Sequence, residues 1–241
     1  MDGKLFTTSL PEQLTSTMVL SLLPLEEPTE TYIWDVPLTL FKIEMYWLSG
    51  SLKASITGTI TIGNKTLELS STMGYVDHNW GNFCWADNWS FDLMQLYGRR
   101  YSAMISESTD AIRNISQGVG GVIAKDSKIV DIINTIEIKH EEYTTKQGKE
   151  LTAKYPVKSR IRFSGLKYIL KIEARSLGVF PELVLSEQPE LENKFSVVWN
   201  KPTKFAVRLY RNLKIFGITL CIPLCKFNGY GYYEYTTVNE K

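Results

Sequence analysis

Apolar and polar residues alternate with a period of two over most of the chain, the mark of strands with one face buried and one face wet. Leu52, Ala54, Ile56, Gly58, Ile60 and Ile62 fall on one side, with Lys53, Ser55, Thr57, Thr59 and Thr61 on the other. Gly63-Asn64 interrupts this run, and Leu67 and Leu69 resume it. The pattern predicts a β-hairpin whose tight turn needs positive φ, which Gly and Asn supply at low cost. Phe205, Val207, Leu209, Leu213 and Ile215 alternate in the same way, as do Val130, Ile132, Ile136 and Ile138. In Ile161 and Phe163 the apolar phase is odd; from Leu166 through Tyr168, Leu170 and Ile172 it is even. The slip at Ser164-Gly165 predicts a bulge or a turn.

Helical periodicity is weak. Residues 9–24 open on Ser-Leu-Pro-Glu, a capping signal for one short helix. The Pro- and Glu-rich stretch Pro181–Glu192 reads as a loop or a helical turn, and the charged stretch Lys139–Lys149 as an exposed hairpin tip with a solvated His140. The expected fold is all-β, an antiparallel barrel or sandwich with few short helices. Closure into a barrel would remove exposed edges and could enclose a cavity for a small apolar ligand. The 241 residues fit one β-rich unit over 1–241 with a seam near residue 75.

Composition narrows the function classes. At 44% hydrophobic and 22% charged the chain can bury a core. A net charge of +1 provides no overall field for nucleic acid or an anionic membrane. Short basic runs such as Arg99-Arg100 read as solvated strand ends. Cys84, Cys221 and Cys225 are odd in number and read as buried free thiols. With two histidines in the chain, no metal site is expected. Gly118, Gly120 and Gly121 read as a glycine-rich turn without a nucleotide-binding context. No signal peptide and no run of about 20 apolar residues is apparent, so the expected location is cytoplasmic. The sequons at Asn64, Asn88 and Asn114 are discounted on that basis.

One stretch breaks the alternation. Gly74 to Phe91 reads Gly-Tyr-Val-Asp-His-Asn-Trp-Gly-Asn-Phe-Cys-Trp-Ala-Asp-Asn-Trp-Ser-Phe. Asp77, His78, Asn79 and Trp80 stand consecutively, with Trp85 and Trp89 close behind. In a core strand each of these polar groups would need a partner, and such departures from local logic mark functional or strained sites. An Asp–His pair can equally staple a barrel seam, and tryptophans can serve as core.

The segment Gly74–Gly81 resembles the Gly-Tyr-X-Asp-His-X-Trp-Gly signature of the carotenoid 1,2-hydratase (hydroxyneurosporene synthase) group. That group is lipocalin-like and related to the AttH-like proteins and the fungal lipocalin-like Diels–Alderases. The run Trp89, Phe91, Gln95, Leu96, Gly98, Arg99 and the ending Gly229–Thr236 are similar to further segments of that family. The likeness covers about residues 50–240, and the N-terminal part looks shortened. In the carotenoid hydratases the His-X-Trp pair is assisted by a Tyr-X-Asp pair on a later strand. Tyr101–Glu107 lacks that pair, and Glu107 is the nearest equivalent acid.

The resemblance implies a hydratase or cyclase acting on an apolar isoprenoid or polyene, of lyase or isomerase type and without a cofactor. Protonating an alkene needs an acid tuned by a dry cavity, for which Asp77, His78 and Glu107 are the candidates. Tyr75, Asn79, Trp80, Trp85, Trp89, Tyr232 and Glu234 are the candidates for contact with substrate, where aromatic faces would stabilise a carbocation. A pericyclic reaction would require only a pocket that holds a polyene folded. The alternative is a non-catalytic carrier of a hydrophobic small molecule, and a third reading is a structural protein with a filled barrel. Partners in the first two readings are hydrophobic small molecules, without nucleic acid and without stable membrane insertion.

Overall fold

The computed structural model describes residues 16–24, 36–38, 43–82, 89–110, 113–147, 152–177, 183–187, 194–215 and 218–240. These segments hold the strands β1 (Ser16–Pro24), β2 (Val36–Leu38), β3 (Ile43–Ile62), β4 (Lys65–Asn82), β5 (Trp89–Tyr97), β6 (Tyr101–Asp110) and β7 (Ser116–Lys125). They continue with β8 (Lys128–Gln147), β9 (Thr152–Gly165), β10 (Tyr168–Ser176), β11 (Leu183–Glu187), β12 (Lys194–Ile215) and β13 (Ile218–Glu240). The fold is all-β with antiparallel pairing, and no helix occurs among the described residues.

The chain divides into two compact units, Met1–Asn82 and Phe83–Lys241. In the first, β3 is central: β4 runs along one edge, and β1 and β2 share the other. The predicted hairpin joins β3 to β4, with Ile62 opposite Lys65 and the positive φ of 59° on Gly63. Ala54 is buried, but Ile62 and Leu67 near the turn are exposed, so the predicted dry face is dry only at its base. Ser16–Pro24 is a strand rather than the short helix expected over 9–24. Pairing with the edge of β3 satisfies its backbone from Ser16↔Ile62 to Pro24↔Ala54, and tertiary context overrides a local capping signal.

The second unit contains a closed barrel. Strands β5 to β10 pair in sequence, β10 pairs β12, β12 pairs β13, and β13 returns to β5. Eight strands leave an interior that side chains can fill. Ile105, Ile123, Phe163, Leu170, Phe205 and Leu209 are fully buried and occupy the midsection. At the closing seam, a Cβ on Gly231 would collide with the Gln95 carbonyl oxygen, so glycine permits the close approach of β13 and β5.

The strands depart from the sequence pattern at several points and keep to it at one. The expected turn does follow Gly165, at Leu166-Lys167 between β9 and β10. The face expected for Val130, Ile132, Ile136 and Ile138 is split: register slips at Ile123/Ala124 and Ile133/Thr135 bury Ile133 and leave Ile132 exposed. Part of Pro181–Glu192 is strand β11, laid on the start of β12. Gly118, Gly120 and Gly121 belong to β7, not to a turn; a Cβ at Gly121 would strike the Met104 carbonyl and Ile105. Cys221 and Cys225 are free but exposed rather than buried, because their strand segment runs past the barrel rim. Cys84 lies outside the described residues.

Candidate site at one end of the barrel

The inward face of β5 carries Asp92, Met94 and Leu96, two residues apart as the pleat requires. Cross-strand pairing sets Tyr235 of β13 on one side of Asp92 and Glu107 of β6 on the other. Asp92 is 2% exposed. Tyr233 Oη donates to its Oδ1 at 2.6 Å, and Arg113 pairs with its Oδ2. A buried carboxylate is tolerated only with such partners, and charge-assisted bonds are the strong ones.

Arg113 arrives from the β6–β7 connection with φ of 60°, a left-handed conformation that costs a non-glycine residue about 1–2 kcal/mol. Asp110 holds the chain there. Its carbonyl accepts Arg113 N–H at 2.9 Å, and its carboxylate accepts the amides of Asn114 and Ile115 at 2.6 and 2.8 Å. The guanidinium thereby reaches inward, donating to the carbonyls of Phe91 and Thr236 as well as to Asp92. It also lies over the Tyr235 ring, 3.9 Å from its centre.

Two more basic groups complete the cluster. His140 Nε2 is 3.8 Å from Asp92 Oδ1, and its Nδ1 shares a 2.9 Å hydrogen bond with Ser159 Oγ. His140 is mostly enclosed, 12% exposed, and not solvated as the charged sequence around it suggested; the period of two turns it inward while Lys139 faces out. Lys201 is 2% exposed. Its Nζ donates to the Pro156 carbonyl at 2.9 Å and stands within 6 Å of the rings of Tyr155, Tyr233 and Tyr235.

The surroundings set the protonation of each group. Burial pushes Lys201 down to about 7, against the pull of Asp92 and with the help of Arg113. Burial likewise lowers His140, so its imidazole is neutral at pH 7. Glu107 moves the other way: burial, reinforced by Asp92 opposite, raises it, while a bond with Ser116 and the charge of Arg113 resist. Tyr233 is pushed well above 10 by burial and Asp92, and burial takes Tyr235 up to about 12. One acidic row thus holds two carboxyl groups in different environments, beside a neutral imidazole and an amine near its midpoint.

Of the residues singled out in the sequence, Glu107 falls in this cluster. Tyr232 and Glu234 alternate with the inward Tyr233 and Tyr235 and so occupy the other face of β13; Tyr232 is 41% exposed. Tyr75, Asp77, His78, Asn79 and Trp80 lie on β4, with Asp77 opposite Ser49, His78 opposite Leu48 and Trp80 opposite Tyr46. The side chains of these five, and that of Trp89 at the start of β5, are outside the described residues, as is the whole of Trp85. Asp92, Arg113, His140, Lys201 and Tyr233 were not anticipated. The available signal was phase: Asp92 and Lys201 each take an inward position in strands whose other inward positions are largely apolar. Among the described residues, no cluster of His, Cys, Asp and Glu suited to a metal ion occurs.

No protein-family model and no curated protein sequence matches the chain. Solved structures do. CghA, determined with Sch210972, superposes with a TM-score of 0.57 at 14% identity over 93% of this chain and 61% of its own. A Nitrosomonas europaea protein provisionally assigned as AttH gives 0.55 at 14% identity, over 92% of this chain and 59% of its own. This chain therefore spans about three-fifths of the length of each. At such identity the shared property is the fold, a lipocalin-like arrangement of antiparallel strands.

Proposed function

We propose that the barrel of the second unit acts on an apolar polyene or isoprenoid, as a hydratase or cyclase, with Glu107 as proton donor. The observation that carries this reading is the pairing of Glu107 with Asp92 directly across β5 and β6, one carboxyl raised by burial and the other bonded to Tyr233 and Arg113. Separated environments of this kind divide acid from base. The Glu107 proton passes to an alkene carbon, and the π pair forms the new C–H bond. The adjacent carbocation is stabilised by the carboxylate that Glu107 becomes, with Asp92 directly across the strand pair. Water then adds to the cation and gives up its proton to the neutral His140; in a cyclase, a second alkene takes the place of water. The fold is shared with a protein determined with Sch210972, which is consistent with a small-molecule ligand here.

Asp77 and His78 remain the rival locus, on the strength of the sequence resemblance. Native mass spectrometry of the purified protein should first identify a co-purified hydrophobic compound, which then serves as the assay ligand. Turnover of that compound should fall by at least about a hundredfold in Glu107→Gln, the usual range for loss of a general acid, with binding retained. Loss in Asp77→Asn with full activity in Glu107→Gln would move the chemistry to β4. Binding without turnover in the wild-type chain would make the protein a carrier.

A further inference from the structure

β12 and β13 outrun the barrel. Pairing of β10 with β12 ends at Tyr168↔Arg211, and pairing of β13 with β5 begins only at Tyr230↔Tyr97. Past those points the two strands continue together, out to Ile215↔Ile218, and among the described residues no further strand pairs with either outer edge. At about 3.3 Å per residue, the ribbon beyond Arg211 extends roughly 13 Å. Aliphatic side chains on it and at its base are wet: Ile218 is 63% exposed, and Ile215, Leu220, Ile222 and Leu224 are all 44–47% exposed. Water contact with five neighbouring aliphatic side chains on one projection is unfavourable, and such patches mark interaction sites.

The charge beside the ribbon is one-sided. Between Glu192 and Glu234 there is no acidic residue, while Lys204, Arg208, Arg211, Lys214 and Lys226 all fall there. Among the described residues, none of Lys204, Arg208, Lys214 and Lys226 stands in an ion pair. On the outer barrel wall, Arg162, Lys171, Arg208 and Lys226 sit directly opposite one another across β9, β10, β12 and β13. Glu137 meets Arg162 at one end of this row, at 3.5 Å. The row lines a groove of about 810 Å³. Like charges in direct cross-strand register repel; Glu137 and Glu173, which also line the groove, offset part of this, and an anionic partner would offset the rest.

We infer that the β12–β13 ribbon and the basic row at its base form a docking surface for an anionic lipid bilayer. The aliphatic tip enters the acyl boundary to the 5–10 Å depth typical of interfacial anchors. Lys214 and Arg211 reach the headgroups along their apolar stems, and the row, on the outer wall behind the tip, adds attraction toward the anionic surface. An acidic protein would satisfy the cations but leave the aliphatic tip wet; a second copy of this chain would cover the tip but bring the like-charged rows together. A bilayer with anionic headgroups satisfies both. Membrane docking requires nothing of the barrel's interior chemistry.

Flotation of the full chain with vesicles tests this. Vesicles of phosphatidylcholine containing one-third phosphatidylglycerol should carry the protein at low salt, phosphatidylcholine alone should carry about tenfold less, and high salt should release it. Arg208→Glu/Lys226→Glu should cut binding about tenfold. Leu220→Ser/Ile222→Ser should abolish the blue shift of an environment-sensitive dye placed on Cys221. Both pairs lie on exposed positions, and unchanged circular dichroism and urea midpoints would confirm their folding. Three results would overturn the inference: no flotation of the wild-type chain, equal flotation of the charge-reversed variant, or a concentration-dependent dimer that Leu220→Ser/Ile222→Ser dissolves while vesicles remain bare.

Discussion

Two lengths of the same strand pair behave in opposite ways. From Lys201 to Leu209, β12 is a barrel wall in which Phe205, Val207 and Leu209 are buried and Lys204 and Arg208 are exposed. From Tyr210 on, the same alternation of apolar residues continues, yet Ile215 is exposed, and so are Ile218, Leu220 and Ile222 on β13. Hydrophobicity is not what differs. The wall has β10 along its edge and the far side of the barrel beneath it; past Asn212, which bonds the Lys167 carbonyl, the ribbon has only its own partner strand among the described residues. An isolated two-stranded ribbon buries too little to form a core. The period of two therefore reports which residues share a face, and the neighbouring strands decide whether that face is dry.

Truncating one side chain on each side of the rim separates wall from ribbon most clearly. Phe205→Ala removes a fully buried ring from the midsection and should cost about 3–5 kcal/mol. Ile218→Ala, on the ribbon, should change stability by no more than about 0.5 kcal/mol. Urea unfolding of both variants decides the matter. A large loss at Ile218 would mean that the ribbon is covered by folded structure.

A second difference lies between the two ends of the barrel, where one holds buried charge and the other exposed aliphatic residues. Arg113→Met leaves Asp92 buried without its cation and should destabilise by about 3–5 kcal/mol, the cost of breaking a buried pair. Asp92→Asn/Arg113→Met removes both charges and should recover at least half of that loss. A double variant as unstable as the single one would show that Arg113 matters through its bonds to the Phe91 and Thr236 carbonyls rather than through Asp92.

How much of this was legible in the sequence follows the same division. Alternation located Ile161, Phe163, Tyr168, Leu170 and Phe205 on inward phases, and Gly63-Asn64 marked its turn, because these features depend on local geometry. Ile132 and Ile133 exchanged faces because bulges insert single residues, and nothing in the residue types announces them. His140 was misread because charge density along the chain describes both faces together, whereas its ring belongs to only one. The cluster around Asp92 draws on β5, β6, β8, β12, β13 and the β6–β7 connection, and such convergence exists only once the barrel closes. The charge of the β12–β13 ribbon was hidden in the same way: 27 basic and 26 acidic residues balance over the chain, but not along these two strands.

Lys201 offers a finer probe of the buried end. Its folded-state value of about 7 lies below the ordinary 10.5. Between those values the unfolded chain binds the proton and the folded chain does not. Stability should therefore rise with pH, by about 2 kcal/mol from pH 7 to 9, and should level off below pH 7, where the folded and unfolded chains both carry the proton. Tyr233 and Tyr235, with raised values, would oppose this only above pH 10. Lys201→Met should flatten the profile between pH 7 and 9. A wild-type profile already flat there would mean that Lys201 keeps its proton in the fold.

The smallest expected effect tests the free end. Leu220→Ser/Ile222→Ser replaces two aliphatic side chains that are each 44% exposed. Serine has a lower strand preference than leucine or isoleucine, but on a ribbon without further neighbours that preference has little packing to act through. Partial burial against the partner strand limits the loss, so the urea midpoint should move by less than about 0.5 kcal/mol equivalent. Solubility should improve, since exposed aliphatic surface promotes association. A loss near that of Phe205→Ala would place these side chains in a buried contact and would remove the distinction between wall and ribbon.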